Sequence, residues 1–187
     1  MKWEFFGDSY DVVKRFMLRS VAPLPTEWAA FPMFSDEASS EQIEAYQSFL
    51  GVRVVSSERL TAVTNRMHHL TAMEHHRHIF IDPDKGIRLG PLNGIRRVQY
   101  VFASELVALC HADTQRLLVI FDQSYSRCSD QKPHIETKLA AFHETGIFGF
   151  AYNSHACFVF LSGSKSVCNK AKENLLASGL PNSRIVQ

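Results

Sequence analysis

LLVIFDQSYSR, residues 117–127, begins with five consecutive apolar residues and turns polar at the sixth. Five residues are too few for a buried helix, and an unbroken Leu/Val/Ile/Phe run suits a strand covered on both faces. Such strands belong to parallel sheets packed between helices, so the neighbouring segments should alternate in type.

They do in both directions. Downstream, Ile135, Leu139 and Phe142 recur at spacings of four and three, a helical stripe that Gly146 closes. Ile147 to Tyr152 and Ala156 to Leu161 are two apolar strands separated by Asn153, Ser154 and His155 alone. That link is too short for a crossover helix and predicts an antiparallel hairpin. A last helix begins near Ser164, carries Val167, Ala171 and Leu175 on one side, and stops at Gly179.

Upstream, a helix over Glu105, Leu106 and Leu109 precedes the central strand. His78 to Ile81 reads as a strand running into the turn Asp82-Pro83-Asp84-Lys85-Gly86, with Ile87 to Leu89 returning beside it. Ser39 and Gln42 form a capping box ahead of the stripe Ile43, Tyr46, Phe49 and Leu50, and Gly51 supplies the stop before a strand at Val52 to Val55. Trp28 to Phe34 reads as a strand in which Pro32 belongs either to an edge or to the last residues. Trp3 to Phe6 reads as a short strand, followed by a helix with Asp8 or Ser9 as its cap and Val12, Val13, Phe16, Met17 and Val21 on its apolar face.

The fold class is therefore α/β: three layers, a mostly parallel mixed sheet flanked by helices, and a C-terminal antiparallel hairpin followed by a helix. The 187 residues suit one domain, 1–187, with an irregular His-rich and basic insertion at about 57–98. Twenty Lys and Arg against nineteen Asp and Glu leave a net charge of +1, which gives no global attraction to nucleic acid. No segment reaches membrane-span length and acidic residues interrupt the N-terminus, so a cytoplasmic protein without a membrane partner is expected. The four cysteines show no metal-site spacing; Cys110 and Cys157 sit inside apolar runs as small buried hydrophobes.

Ligands of open α/β sheets bind beyond the carboxyl ends of the strands. Those ends are polar here: Asp8 with Tyr10, Asp11 and Lys14, then Asp82 and Asp84, then Asp122, Gln123, Ser124 and Arg127, and last Asn153, Ser154 and His155. Carboxylates gathered on one edge repel unless a cation or a shared proton intervenes. Mg²⁺ or Mn²⁺ would serve, with Asp8, Asp82 and Asp122 as ligands, His155 as general base or acid, and Arg127 or Lys14 as a phosphate clamp. The chemistry implied is metal-dependent phosphodiester hydrolysis on nucleic acid or a nucleotide. The alternatives are a non-catalytic nucleotide- or partner-binding module, and a scaffold whose polar edge is only caps and turns.

Arg66, Arg77, Lys85, Arg88, Arg96 and Arg97 outnumber the three acids between 65 and 97 and are the candidate phosphate contacts. His68, His69, His75, His76 and His78 lack the four-residue spacing of a zinc helix and read as a solvated or nucleic-acid-facing loop. Glu136-Thr137-Lys138 follows Asp122 as the E-x-K of restriction-type nucleases follows an acid, but it falls on a helix instead of a strand. There is no G-x-G-x-x-G, no P-loop and no G-x-S-x-G elbow, so Ser124 is a weak nucleophile candidate. Methyltransferase-like folds also end in an antiparallel strand pair, though here a helix follows the pair and the glycine-rich first turn is missing.

Overall fold

The computed structural model describes residues 3–21, 28–61, 64, 66–73, 75–125 and 128–187. In chain order it forms a 3-10 helix (Trp3–Phe5), α1 (Ser9–Val21), β1 (Trp28–Phe31), α2 (Ser40–Leu50), β2 (Arg53–Val54), α3 (Arg66–Met73), β3 (His78–Ile81) and β4 (Gly86–Arg88). A second 3-10 helix (Ile95–Gln99) leads into β5 (Tyr100–Phe102), α4 (Ala103–Ala112), β6 (Leu117–Phe121) and α5 (Lys132–Glu144). The chain closes with β7 (Phe148–Asn153), β8 (Cys157–Ser162), α6 (Lys165–Ala177), a third 3-10 turn (Asn182–Arg184) and β9 (Ile185–Val186).

The main sheet has the order β2-β1-β3-β6-β8-β7-β9. The first four strands are parallel. β8 runs against both β6 and β7, and β9 against β7. Because β7 is again parallel to β6, the β7–β8 turn emerges on the same edge as the carboxyl ends of β1, β3 and β6. The chain steps outward from β1 to β2 and then returns past β1 to β3, so the order of winding reverses between β1 and β3.

Strand residues alternate between two apolar layers. Ile79, Ile81, Leu118 and Ile120 join Leu106, Leu109, Ile135 and Phe142 from α4 and α5. Phe80, Leu117, Val119 and Phe121 join Met17, Leu18, Tyr46, Leu50 and Leu175 from α1, α2 and α6. Both faces of β6 are thus covered, which is why its sequence does not alternate. Phe150 and Phe160 stack on the second face with centroids 4.6 Å apart, fixing the hairpin register.

Several local expectations differ. Trp3–Phe5 is a 3-10 helix, not a strand, since Trp3 stacks on Phe34 with centroids 5.1 Å apart and the chain turns at Gly7 with φ 84°. α1 buries Asp11, Lys14, Met17, Leu18 and Val21, leaving Val12 55% and Phe16 42% exposed. Its buried stripe is therefore rotated from the purely apolar one, because a partner for Lys14 waits in the core. β1 stops before Pro32 and lies inside the sheet, between β2 and β3. Within the 57–98 segment, His78–Ile81 forms the expected strand, β3, and occupies the middle of the sheet. β4 pairs parallel with β5 in a separate two-stranded flap instead of returning beside β3.

The capping box of α2 is present, with Ser39 accepting from the Gln42 N–H and Gln42 accepting from the Ser39 N–H, and Gly51 closing the helix at φ 73°. Ser39→Ala should lower stability by about 1 kcal/mol in urea melts without changing the slope of the transition.

Candidate functional site

The carboxyl edge of the sheet carries two buried lysine–carboxylate nodes, one on each side of β3 and β6. The first surrounds Asp122. Lys138, on α5 and only 1% exposed, donates from Nζ to Asp122 Oδ2 at 2.5 Å and to Ser124 Oγ. Asp122 Oδ1 accepts from the Ser124 hydroxyl at 2.6 Å, the Ser124 N–H at 3.1 Å and the Ile87 N–H at 3.2 Å. Lys138 also lies 4.4 Å from the centre of the Tyr125 ring, which His134 stacks upon. With four donors the carboxylate is saturated, and its charge is neutralised by the ammonium.

Gly86 makes this node accessible to the flap. Its φ is 116°, and a Cβ there would stand 1.9 Å from Asp122 Oδ1. Only glycine lets the Asp82-Pro83-Asp84-Lys85-Gly86 turn press onto Asp122 and offer the Ile87 amide.

The second node surrounds Lys14. Its Nζ donates to Asp11 Oδ1 at 2.9 Å and Asp82 Oδ2 at 2.8 Å, and lies 4.6 Å from the Phe121 ring centre. Asp11 Oδ2 in turn accepts from the Gly7 N–H at 2.8 Å, tying the start of α1 to its own first turn. Burial opposes the lysine charge, but the Asp82 and then the Asp11 carboxylate outweigh it and hold the pKa above the ordinary 10.5. Tyr46 on α2 is wholly buried near this node, its hydroxyl without a hydrogen bond of good geometry. Burial and then the Asp82 and Asp11 charges push its pKa well above 10.0.

Outside the Lys14 node lies a cleft of about 430 Å³, lined by Phe5, Asp8, Tyr10, Asp11, Lys14, Asp82, Pro83, Asp84, Lys85, Gln99 and Phe121. Two lysines against four aspartates give it a charge of −2. Its wall is partly aromatic: Tyr10 packs edge-on against Phe121 at 5.7 Å and lies tilted beside His155 at 5.5 Å, while Phe5 is 58% exposed.

The structure sorts the sequence candidates. Lys14, Asp82 and the Asp8–Asp11 turn share the cleft, and His155 borders it, exposed, through Tyr10. Asp8 is the cap of α1, with Oδ1 accepting from the Tyr10 and Asp11 amides at 2.8 and 3.1 Å. Asp122 faces the other node. Among the described residues no three His, Cys, Asp or Glu side chains are grouped to hold a metal ion, so Asp8, Asp82 and Asp122 do not form the expected ligand set for Mg²⁺ or Mn²⁺. The cations that relieve carboxylate repulsion are Lys14 and Lys138. Arg127 lies outside the described residues.

Of the basic residues, Arg66 is buried in a two-pronged pair with Glu105, both contacts 2.6 Å, and donates to the Tyr100 carbonyl. It is not a surface phosphate contact. Lys85, Arg88, Arg96 and Arg97 are exposed on the flap. His69 is buried on α3 against the Phe31 ring at 5.3 Å, where burial lowers its pKa. The sequence points to Lys138 only through the E-x-K triplet, which is discounted there because it falls on a helix instead of a strand. The E-x-K triplet does deliver its lysine to Asp122, while Glu136 turns outward toward Lys132 at 3.7 Å.

Gly86→Ala should cost about 3 kcal/mol in urea melts, since backbone strain adds to displacement of Asp122. Lys14→Met should lose about 3 kcal/mol or more at pH 7 because it strands two buried carboxylates. The sign of the pH dependence follows from the raised values. Folded Lys14 and Tyr46 keep protons that the unfolded chain releases from about pH 10, so stability is intact below that pH and falls as pH rises beyond it. Melts at pH 7, 10 and 11 should show a shallower alkaline fall in Lys14→Met than in the parent protein.

Comparison of the chain with protein-family models, with curated proteins and with solved structures finds no significant match to any of them.

Proposed function

We propose that the protein is a nucleoside-binding α/β module whose ligand lies in the cleft beyond β3 and β6. The observation that supports this reading most directly is the make-up of that cleft: a −2 charge beside an aromatic wall, in a volume of about 430 Å³. Pockets for small ligands commonly run from about 300 to 1,000 Å³ and combine apolar walls with a few orienting polar groups. Carboxylates accept hydrogen bonds and cannot donate them, so they match the exocyclic amine of a base. The rings of Tyr10 and Phe5 offer stacking faces.

Metal-dependent phosphodiester hydrolysis has less support. A cation on Asp122 would have to displace Lys138, which already neutralises that carboxylate. A second reading, transfer of a methyl group from S-adenosylmethionine, is favoured by two observations. The sheet ends in an antiparallel pair as methyltransferase-like sheets do, with β8 inserted between β6 and β7. The cleft is also negative, which suits a sulfonium. Against it, the turn after β1 is Pro32-Met33-Phe34, with Met33 at φ 49° and Phe34 covered by Trp3, instead of a glycine-rich turn.

Calorimetry should show adenosine and cytidine binding at least about tenfold more tightly than inosine and uridine, which lack the amine. Asp84→Asn should erase the preference for the amine; Asp8→Asn keeps the helix cap and should weaken adenosine. Equal affinity for all four nucleosides would refute the reading. Tighter binding of S-adenosylmethionine than of its neutral thioether product would favour methyl transfer.

A further inference from the structure

The cleft is acidic, yet the chain that frames its outer side is the opposite. From Lys85 to Ser104 there are four basic residues and no acidic one. All four, Lys85, Arg88, Arg96 and Arg97, are exposed. They sit on the β4–β5 flap and the 3-10 helix Ile95–Gln99, and the flap meets the cleft directly because Lys85 and Gln99 belong to its lining. The flap is anchored, not loose. Ile87 and Val101 are buried in the core beneath it, the Ile87 amide is held by Asp122, and Arg66 with Glu105 clasps its exit through the Tyr100 carbonyl and the Phe102 amide. Its basic residues therefore stand at a fixed offset from the acidic cleft.

Two adjoining regions of opposite charge fit a ligand that is itself divided, rich in amine donors in one part and anionic in the next. A base followed by its phosphodiester chain has that division. We infer that the protein binds single-stranded nucleic acid, with one base in the cleft and the neighbouring phosphates on Lys85, Arg88, Arg96 and Arg97. This rests on the nucleoside reading of the cleft and names the polymer that would carry the nucleoside. Phe5, exposed at the mouth, supplies the face on which the entering base or its neighbour stacks, the usual companion of a basic groove in single-strand recognition. A duplex keeps its bases within the stack and would present only phosphates to the flap, leaving the cleft empty.

The test is fluorescence anisotropy with a labelled mixed-sequence 12-mer, single-stranded and as a duplex, across a NaCl series, beside adenosine calorimetry on the same proteins. Four phosphate contacts predict a slope of log K against log salt near about −3 for the single strand. Arg88→Ala with Arg96→Ala and Arg97→Ala should weaken the strand at least about tenfold and flatten the slope by about 2, while adenosine binding stays as in the parent. Phe5→Ala should weaken the strand with the slope unchanged. Equal or tighter duplex binding, a strand affinity indifferent to the triple substitution, or no strand binding where adenosine still binds would each overturn the inference and leave the cleft reading standing. Loss of adenosine binding in the parent protein would sink both.

Discussion

Parallel strands create a problem at one edge of this protein, and two buried ammonium groups resolve it. β3 and β6 run side by side in the same direction, so Asp82 and Asp122, each the residue after its strand, emerge together. α1 delivers Lys14 from one face of the sheet and α5 delivers Lys138 from the other. Each lysine must be buried to reach its carboxylate, and each is therefore fixed by it. Buried ion pairs contribute little net stability over apolar replacements, but removing one member leaves a charge that nothing screens. The pairs thus act as alignment constraints: α1 can take only the rotation that points Asp11 and Lys14 inward, although this exposes Val12 and Phe16.

That constraint divides the edge into parts with different capacities. The Asp122 node is closed, with all its acceptor sites used and the flap pressed onto it through Gly86. The Lys14 node is open on its outer side, where four aspartates against two lysines line the cleft. The flap that Asp122 holds carries the compensating positive charge a short distance away. The separation of charge along this edge is thus a consequence of which carboxylate each lysine reaches, and the recognition proposed for nucleoside and strand uses that separation.

The parts of this arrangement visible in the sequence are those written in apolar periodicity. The run 117–121, the α5 stripe, the hairpin about Asn153–Ala156 and the Ser39 cap are local patterns, and local patterns are what hydrophobic spacing and caps encode. The strand-end acids Asp82 and Asp122 were legible for the same reason, since a strand's end locates them. Their partners were not. Lys14 and Lys138 stand out in the sequence only as a phosphate clamp and as the end of an E-x-K triplet, and only the packing of a helix 68 or 16 positions away in sequence brings them to Asp82 and Asp122. β5 and β9, at three and two residues, go unread, whereas the equally short β2 and β4 are marked by the helix stop at Gly51 and by the turn ending at Gly86.

The choice between lysine and metal as counter-charge has chemical consequences. A divalent ion leaves coordination positions open to substrate and water and can polarise what binds there. A buried lysine donates in at most three directions, and Lys138 spends its own on Asp122, Ser124 and the face of Tyr125. An edge neutralised this way has no open position at its centre, so any ligand must be held by its periphery: the outer carboxylates, the aromatic wall and the flap. The carboxylates that suggested metal-dependent chemistry from the sequence alone are, in the folded chain, largely the means by which the sheet's edge was made compatible with burial. The site's chemistry lies in the residues left over.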